Sequence, residues 1–344
     1  MKVLLNTSPL GNAHAIRGIG MYTKLLQASL AQIQTVELVA DLPADIIHYP
    51  FFDLFQSTLP LKSKTPVVVT IHDVIPLLFP DHYPAGVKGK FRFLRQKTAL
   101  KKVKGILTDS FASKWDIVEY LGIEPDKIHV VYLAANPDLQ LPTLARQTAV
   151  KERLNLPNKY VLYVGDINYN KNLPQLIKAL KFLPEDIHLV CVGKNFYPHD
   201  IPEWQDIERQ IALSDVSQQI HFLPDIKGED YDTLAAVYHQ ALCYVQPSLA
   251  EGFGLPILEA MQCKVPVVAA GNSSLVEVGG AHVVYTGTDA EAIAQAVESI
   301  MGWSANHRRE QVLAAANWAT TFSWSRAAEQ TAHIYQQLTE VTSG

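Results

Sequence analysis

Short apolar runs alternate with helix-forming stretches along the whole of this chain, and that alternation narrows the fold more than any other feature. Lys2–Thr7, Val36–Ala40, Ile46–Tyr49, Val67–Ile71, Gly105–Thr108 and Ile128–Tyr132 read as strands, with helices near 20–33, 86–103 and 111–121. After residue 158 the pattern starts again. Tyr160–Val164, Ile187–Val192, Ile220–Leu223, Ala241–Val245, Val265–Ala269 and His282–Tyr285 read as strands, and helices fall near 173–182, 203–213, 230–240, 256–263, 290–302 and 306–320. Runs that are apolar at successive positions belong to strands buried on both faces. Strands of that kind separated by helices build parallel sheets covered on both sides.

The 344 residues suit two domains at roughly 100–200 residues each. The break lies at Asn136–Asn158, which holds three prolines, a short charged segment and no clear strand. The expected architecture is α/β, with two doubly wound Rossmann-like domains facing across a cleft. Residues 1–140 form the first domain, 141–158 a linker, 159–325 the second domain, and 326–344 a last helix crossing back to the first. Ligands of such sheets bind beyond the carboxyl ends of the strands, and a cleft between domains is the default site.

A net charge of −5 gives no overall attraction to nucleic acid or membranes. Cys191, Cys243 and Cys263 lie in apolar or helical contexts without metal-type pairing, so they read as reduced core residues of a cytoplasmic protein. The first residues, Met1 to Asn6, turn polar too soon for a signal peptide, and no apolar run approaches the ~18 residues of a membrane span. One local exception to the charge balance is Lys88 to Lys104, with eight Lys or Arg residues, no acid, and interspersed Phe91, Phe93, Leu94, Leu100 and Val103. Such a helix suits peripheral contact with an anionic membrane at its inner face, and equally a solvated helix over an apolar core; both readings stay open.

The chemistry concentrates in Glu251-Gly252-Phe253-Gly254-Leu255-Pro256-Ile257-Leu258-Glu259. It follows an apolar strand and a loop, and Pro256 suits the first turn of a helix. Free amides and the helix dipole at such a turn attract an anion. Two flanking carboxylates would repel an anion alone, but they accept hydrogen bonds from hydroxyls, so a phosphate joined to sugars fits both demands. Lys171, in the loop Asp166 to Asn172, is either a solvated loop lysine or placed to neutralise a phosphate, and its asparagine neighbours, Asn170 among them, offer hydrogen bonds to hydroxyls. Arg17-Gly18-Ile19-Gly20 is a glycine pair at a helix start, either an oxyanion turn or a tight turn without ligand; Thr23 replaces the third glycine of a dinucleotide fingerprint. His72-Asp73 ends the strand Val67–Ile71, where active-site residues of parallel sheets sit and where a hydrogen-bonded structural histidine sits equally well. No metal-ligand spacing occurs, so no protein-bound metal or other cofactor is expected.

Pro247-Ser248 followed by Glu251 through Met261 and then Val265-Pro266-Val267-Val268 resembles glycosyltransferase family 4, a retaining family of GT-B fold. Arg17-Gly18-Ile19-Gly20, His72-Asp73, Asp109-Ser110-Phe111, Lys127 to Tyr132, Tyr163-Val164-Gly165 and Lys171-Asn172-Leu173 follow in the family's order, so the resemblance covers nearly the whole chain. His72-Asp73-Val74-Ile75-Pro76 with Phe79-Pro80 is most similar to bacterial mannosyltransferases that build polysaccharides. The resemblance implies that Glu259 holds the ribose hydroxyls of a nucleotide diphosphate sugar and that Glu251 lies at the donor sugar. It implies that Gly252, Phe253, Gly254 and Leu255 present amides to sugar and diphosphate, that Lys171 binds the diphosphate, and that Gly18 and Gly20 belong to a first-domain turn near the phosphates. His72 would touch the donor sugar and place the acceptor, a glycan or lipid-linked glycan.

Two departures stand out. Asp166 and Asn170 occupy positions where many members carry an arginine, so one cation is missing from the diphosphate cradle. Lys264 replaces a turn glycine, which signals a different backbone path. The rival readings are a nucleotide-sugar epimerase of the same architecture, a non-catalytic nucleotide-sugar-binding subunit, and a two-carboxylate glycosidase; the phosphate cradle argues against the last.

Overall fold

A computed structural model describes residues 1–11, 18–226 and 230–340. The chain divides into two compact units, Met1–Ala134 with Phe322–Gly344, and Ala135–Thr321. Each is built on one six-stranded, wholly parallel sheet.

In the first unit the strands are β1 (Lys2–Leu5), β2 (Glu37–Leu38), β3 (Ile46–Tyr49), β4 (Val67–Thr70), β5 (Gly105–Thr108) and β6 (Ile128–Val130), in the order β2-β1-β3-β4-β5-β6. Every residue of β4 and β5 is buried. That is why these segments are apolar without alternation. The last helix, Trp324–Glu340, packs against Gly18–Leu30. Its Leu338 comes so near β5 that a Cβ on Gly105 would lie 2.6 Å from the leucine Cδ1, so the glycine makes room for the helix.

In the second unit the strands are β7 (Tyr160–Val164), β8 (His188–Val192), β9 (Ile220–Leu223), β10 (Cys243–Gln246), β11 (Val267–Ala270) and β12 (Val284–Thr286), in the order β12-β11-β10-β7-β8-β9. From β7 the chain winds outward through β8 and β9, then returns to the other side of β7 for β10. The loops leaving β7 and β10 therefore part in opposite directions, and their shared crevice is where doubly wound sheets bind ligands. The expected fold class, parallel sheets flanked by helices, is met in both units.

The stretch 141–158 is more ordered than a linker. It holds a helix, Leu144–Arg153, capped by Thr143 and packed on Tyr231–His239 within the second unit. Val150 is the helix's one buried side chain, so it carries almost no hydrophobic period to read.

Lys264 corrects an expectation. It sits at φ +57, in the left-handed region that favours glycine. The amide of Val265 reaches Ala260 O at 3.0 Å and that of Lys264 reaches Met261 O at 3.0 Å, which closes helix Leu255–Gln262 in a Schellman turn. The glycine-type path is kept, and the lysine carries the strain. Lys264→Gly is therefore expected to stabilise the protein by about 0.5–1 kcal/mol, since relief of a left-handed side chain slightly outweighs the glycine's extra unfolded freedom. Denaturant unfolding would measure it.

Candidate active site

The loops after β7 and β10 are bolted together by backbone-directed amides. Asn170 Nδ2 donates to Ala250 O at 2.9 Å and its carbonyl accepts from Leu249 N at 2.7 Å. Asn172 Nδ2 donates to Pro247 O at 3.0 Å and to Thr288 O at 2.7 Å. Asn172 itself adopts φ +58, a conformation asparagine tolerates, and opens helix Leu173–Ala179. This clamp fixes the short turn Tyr169–Lys171 and brings Lys171 Nζ to 2.8 Å from both oxygens of Glu251. The side chains are 20% and 8% exposed, so the pair is largely withdrawn from water.

Glu251 is held from several sides. Its Oε1 also accepts from Ser248 Oγ at 2.6 Å and Gln246 Nε2 at 2.5 Å. Its amide donates to Ser273 Oγ at 3.1 Å and its carbonyl accepts from Ser274 Oγ at 2.9 Å. Beyond it Phe253 is buried and Gly254 turns the chain at φ +102 into helix Leu255–Gln262. Leu255 is the first residue of that helix, and Gly252 lies in the turn before it. Glu259, within the helix, accepts from Tyr238 OH at 2.9 Å. Burial pushes the Glu259 carboxyl above the usual carboxylate range, against the lowering effect of the tyrosine bond.

The position of the missing arginine has a structural occupant. Asp166 Oδ1 accepts from Ile167 N at 2.8 Å and Asn195 Nδ2 at 2.5 Å, and Tyr163 OH donates to Asp166 O at 2.6 Å. Asp166 thus shapes the loop leaving β7. Asn170, the other such position, is spent on the clamp.

In the first unit His72 stands at the carboxyl end of β4, between the ends of β3 and β5. Its Nδ1 is 2.6 Å from Asp109 Oδ2 and its Nε2 3.2 Å from Pro50 O. The Tyr22 ring meets it edge-on with centroids 4.7 Å apart. Ser113 Oγ donates to His72 O at 2.9 Å, while Asp73 caps its own turn by accepting from Ile75 N at 3.0 Å. Burial disfavours the His72 imidazolium, but the charge and hydrogen bond of Asp109, with help from Asp73 and Pro50 O, outweigh it and raise the pKa. Burial pushes the Asp109 carboxyl up despite its contact with His72, so the stabilisation from the raised His72 value is present below the unfolded histidine value of about 6.5, fades as pH rises through the folded value, and is lost again at acid pH as Asp109 protonates. Asp109→Asn is expected to lower the His72 pKa and remove that pH dependence, as seen by NMR titration of the ring and by unfolding at several pH values.

Gly18 opens helix Gly18–Leu30 and Gly20 is buried within it; Arg17 lies outside the described residues. The sequence brought Lys171, Glu251 and Glu259 to notice, with Ser248 and Asp109 as parts of motifs, but not Gln246, Tyr238 or the pairing of Asp109 with His72. Asp109 had two legible signals, a carboxylate directly after an apolar strand and its place in Asp109-Ser110-Phe111. Among the described residues, no three His, Cys, Asp or Glu side chains gather as a metal site.

Residues 9–139 match the model of Glycosyltransferase Family 4, and residues 146–318 match that of Glycosyl transferases group 1. O-antigen chain mannosyltransferase B of Escherichia coli is 32% identical over 280 residues, covering 79% of this chain and 70% of that protein. Serotype-specific mannosyltransferase WbdA of the same organism is 25% identical over 84% of this chain, which spans only 36% of WbdA's length. The crystal structure of Anabaena HepE in complex with UDP and glucose superposes with a TM-score of 0.73 at 17% identity, covering 97% of this chain and 98% of that one. Sheets and family matches together define a glycosyltransferase of GT-B fold. The chain belongs to glycosyltransferase family 4, and its activity is hexosyl transfer.

Proposed function

We propose that this enzyme transfers mannose from GDP-mannose, with retention, to a hydroxyl of a glycan or lipid-linked glycan. The observation that carries the donor-site reading is the Lys171–Glu251 pair at the switch point of the second sheet, beside a glycine turn that opens a helix. The pair balances its own charge. An arriving diphosphate competes with Glu251 for the lysine, and the released carboxylate keeps Gln246 and Ser248 while it accepts sugar hydroxyls. Glu259 takes the ribose hydroxyls. As the anomeric C–O bond breaks, negative charge grows on the diphosphate, where Lys171 and the amides of the Gly252–Leu255 turn stabilise it; fixed donors aimed at developing charge are usually the largest catalytic contribution. The leaving phosphate oxygen takes the acceptor proton in a front-face attack, so no protein base is required, and His72 places the acceptor hydroxyl. Metal is not required in this scheme. Mannose is favoured by the relative that is 32% identical, an O-antigen chain mannosyltransferase.

The test is a panel of GDP- and UDP-linked sugars, scored for binding and for slow release of nucleoside diphosphate. GDP-mannose is expected to give the strongest response. Response to UDP-sugars alone would overturn the mannose assignment, and response to none would overturn the donor site.

We further propose that the first unit rests on anionic lipid. Helix Gly86–Leu100 leaves Val87, Phe91 and Leu94 at 88%, 74% and 64% exposure among its basic residues. At its end lies a groove of about 600 Å³ rimmed by Lys62, Lys64, Lys102 and Lys104. No helix among the described residues is long and apolar enough to cross a membrane, so the contact would be peripheral. Co-sedimentation with phosphatidylglycerol vesicles at low salt is expected, reduced in Phe91→Ser/Leu94→Ser; absence of binding would leave the helix a solvated face.

A further inference from the structure

Glu251 and Glu259 are each backed by a buried tyrosine. Tyr238, on helix Tyr231–His239, donates to Glu259 Oε2 at 2.9 Å. Tyr244, on β10, donates to Gln246 Oε1, and Gln246 passes the interaction on to Glu251 Oε1 at 2.5 Å and Ser248 Oγ at 2.9 Å. Both tyrosines are fully buried and Gln246 is 1% exposed. The two rings pack with centroids 5.7 Å apart, so the supports of Glu251 and Glu259 form one block.

The bonds divide the oxygens of each glutamate. Glu251 Oε1 accepts from Gln246, Ser248 and Lys171, whereas Oε2, among the described residues, meets Lys171 alone. Glu259 Oε2 takes the Tyr238 hydroxyl, and Oε1 has no hydrogen bond to any described residue. One oxygen of each carboxylate is committed to the protein and the other is left for ligand. The Tyr244 hydroxyl also fixes which way the Gln246 amide points. With its oxygen taken, its NH₂ must face Glu251; the flipped amide would set two acceptors against each other.

We propose that Tyr238, and Tyr244 acting through Gln246, are positioning residues that set the separation and orientation of the two carboxylates, Tyr238 serving nucleotide binding and Gln246 serving the donor sugar. This rests on the reading of Glu259 as the ribose contact and Glu251 as the sugar contact. Because the two supports lead to different parts of one ligand, their loss separates in a way that general destabilisation does not.

The experiment compares Tyr238→Phe, Gln246→Leu and Tyr244→Phe with wild type, by calorimetric titration of GDP and UDP alone and by turnover of the nucleotide sugar the enzyme uses. Tyr238→Phe is expected to weaken nucleoside diphosphate binding about tenfold, the equivalent of one hydrogen bond to a charged group. Gln246→Leu is expected to leave that affinity within about twofold and to lower kcat for the nucleotide sugar about tenfold or more. Tyr244→Phe, which keeps the shape of the core, should follow Gln246→Leu in milder form and carries the test should the leucine variant fail to fold. Parallel losses in both quantities for all three variants, or no loss in any, would overturn the proposal. Glu259→Ala separates the two levels. If it leaves nucleotide affinity unchanged, the ribose reading fails; if it weakens binding while Tyr238→Phe does not, only the positioning role fails.

Discussion

Lys171→Ala is expected to lower sugar transfer by about 10²–10³-fold, the usual effect of removing one fixed donor from developing negative charge. It should also destabilise the protein. Glu251 is 8% exposed and would lose the counter-ion that the pair supplies. Removing one member of a buried pair typically costs about 3–5 kcal/mol, and the surviving bonds from Gln246 and Ser248 should hold the loss to about 2 kcal/mol. The two effects can be pulled apart. In Lys171→Ala/Glu251→Gln the uncompensated charge is gone, so the melting temperature should recover while transfer stays low. Unfolding curves and initial rates on the three proteins check this. Wild-type transfer by Lys171→Ala would remove the lysine from the reaction, whatever its effect on stability.

Gly254→Ala is the second large effect. Gly254 holds φ +102, and a Cβ there would lie 2.9 Å from Leu275 Cδ2. The leucine methyl can swing aside, but the backbone cannot change without re-aiming the start of helix Leu255–Gln262 and the amides that face the ligand. A cost of about 1–3 kcal/mol is expected from the backbone alone, with donor affinity falling at least as steeply. Leu275→Ala in the same background removes the steric contact and leaves the backbone strain, so it should restore little. Substantial rescue would show the contact, rather than the turn, to be what matters.

What could be read in the sequence follows from how each feature is encoded. Strands such as β4 and β10 announced themselves because burial on both faces demands unbroken apolar runs. Pro256 and the flanking glycines marked a helix start by local backbone chemistry alone. Helix Leu144–Arg153 was missed because it buries only Val150 and so lacks a periodic face. Lys264 misled for the opposite reason: the Schellman hydrogen bonds hold a lysine where its local preference argues against it. Asn170 and Asp166 carry side chains suited to ligands, and tertiary contacts turn them inward to hold loops. The pairing of His72 with Asp109, and of Glu259 with Tyr238, joins residues distant along the chain, and a single sequence holds no record of such meetings.

The central claim is that the segment between Glu251 and Glu259 spans one nucleotide sugar, with Glu259 at the nucleotide end. Calorimetric titration of GDP and GDP-mannose into wild type and Glu259→Ala tests it most directly. Wild type is expected to bind both and the variant to lose at least tenfold affinity for each, since the lost ribose contact is common to the two ligands. Equal affinity of wild type and Glu259→Ala would contradict it.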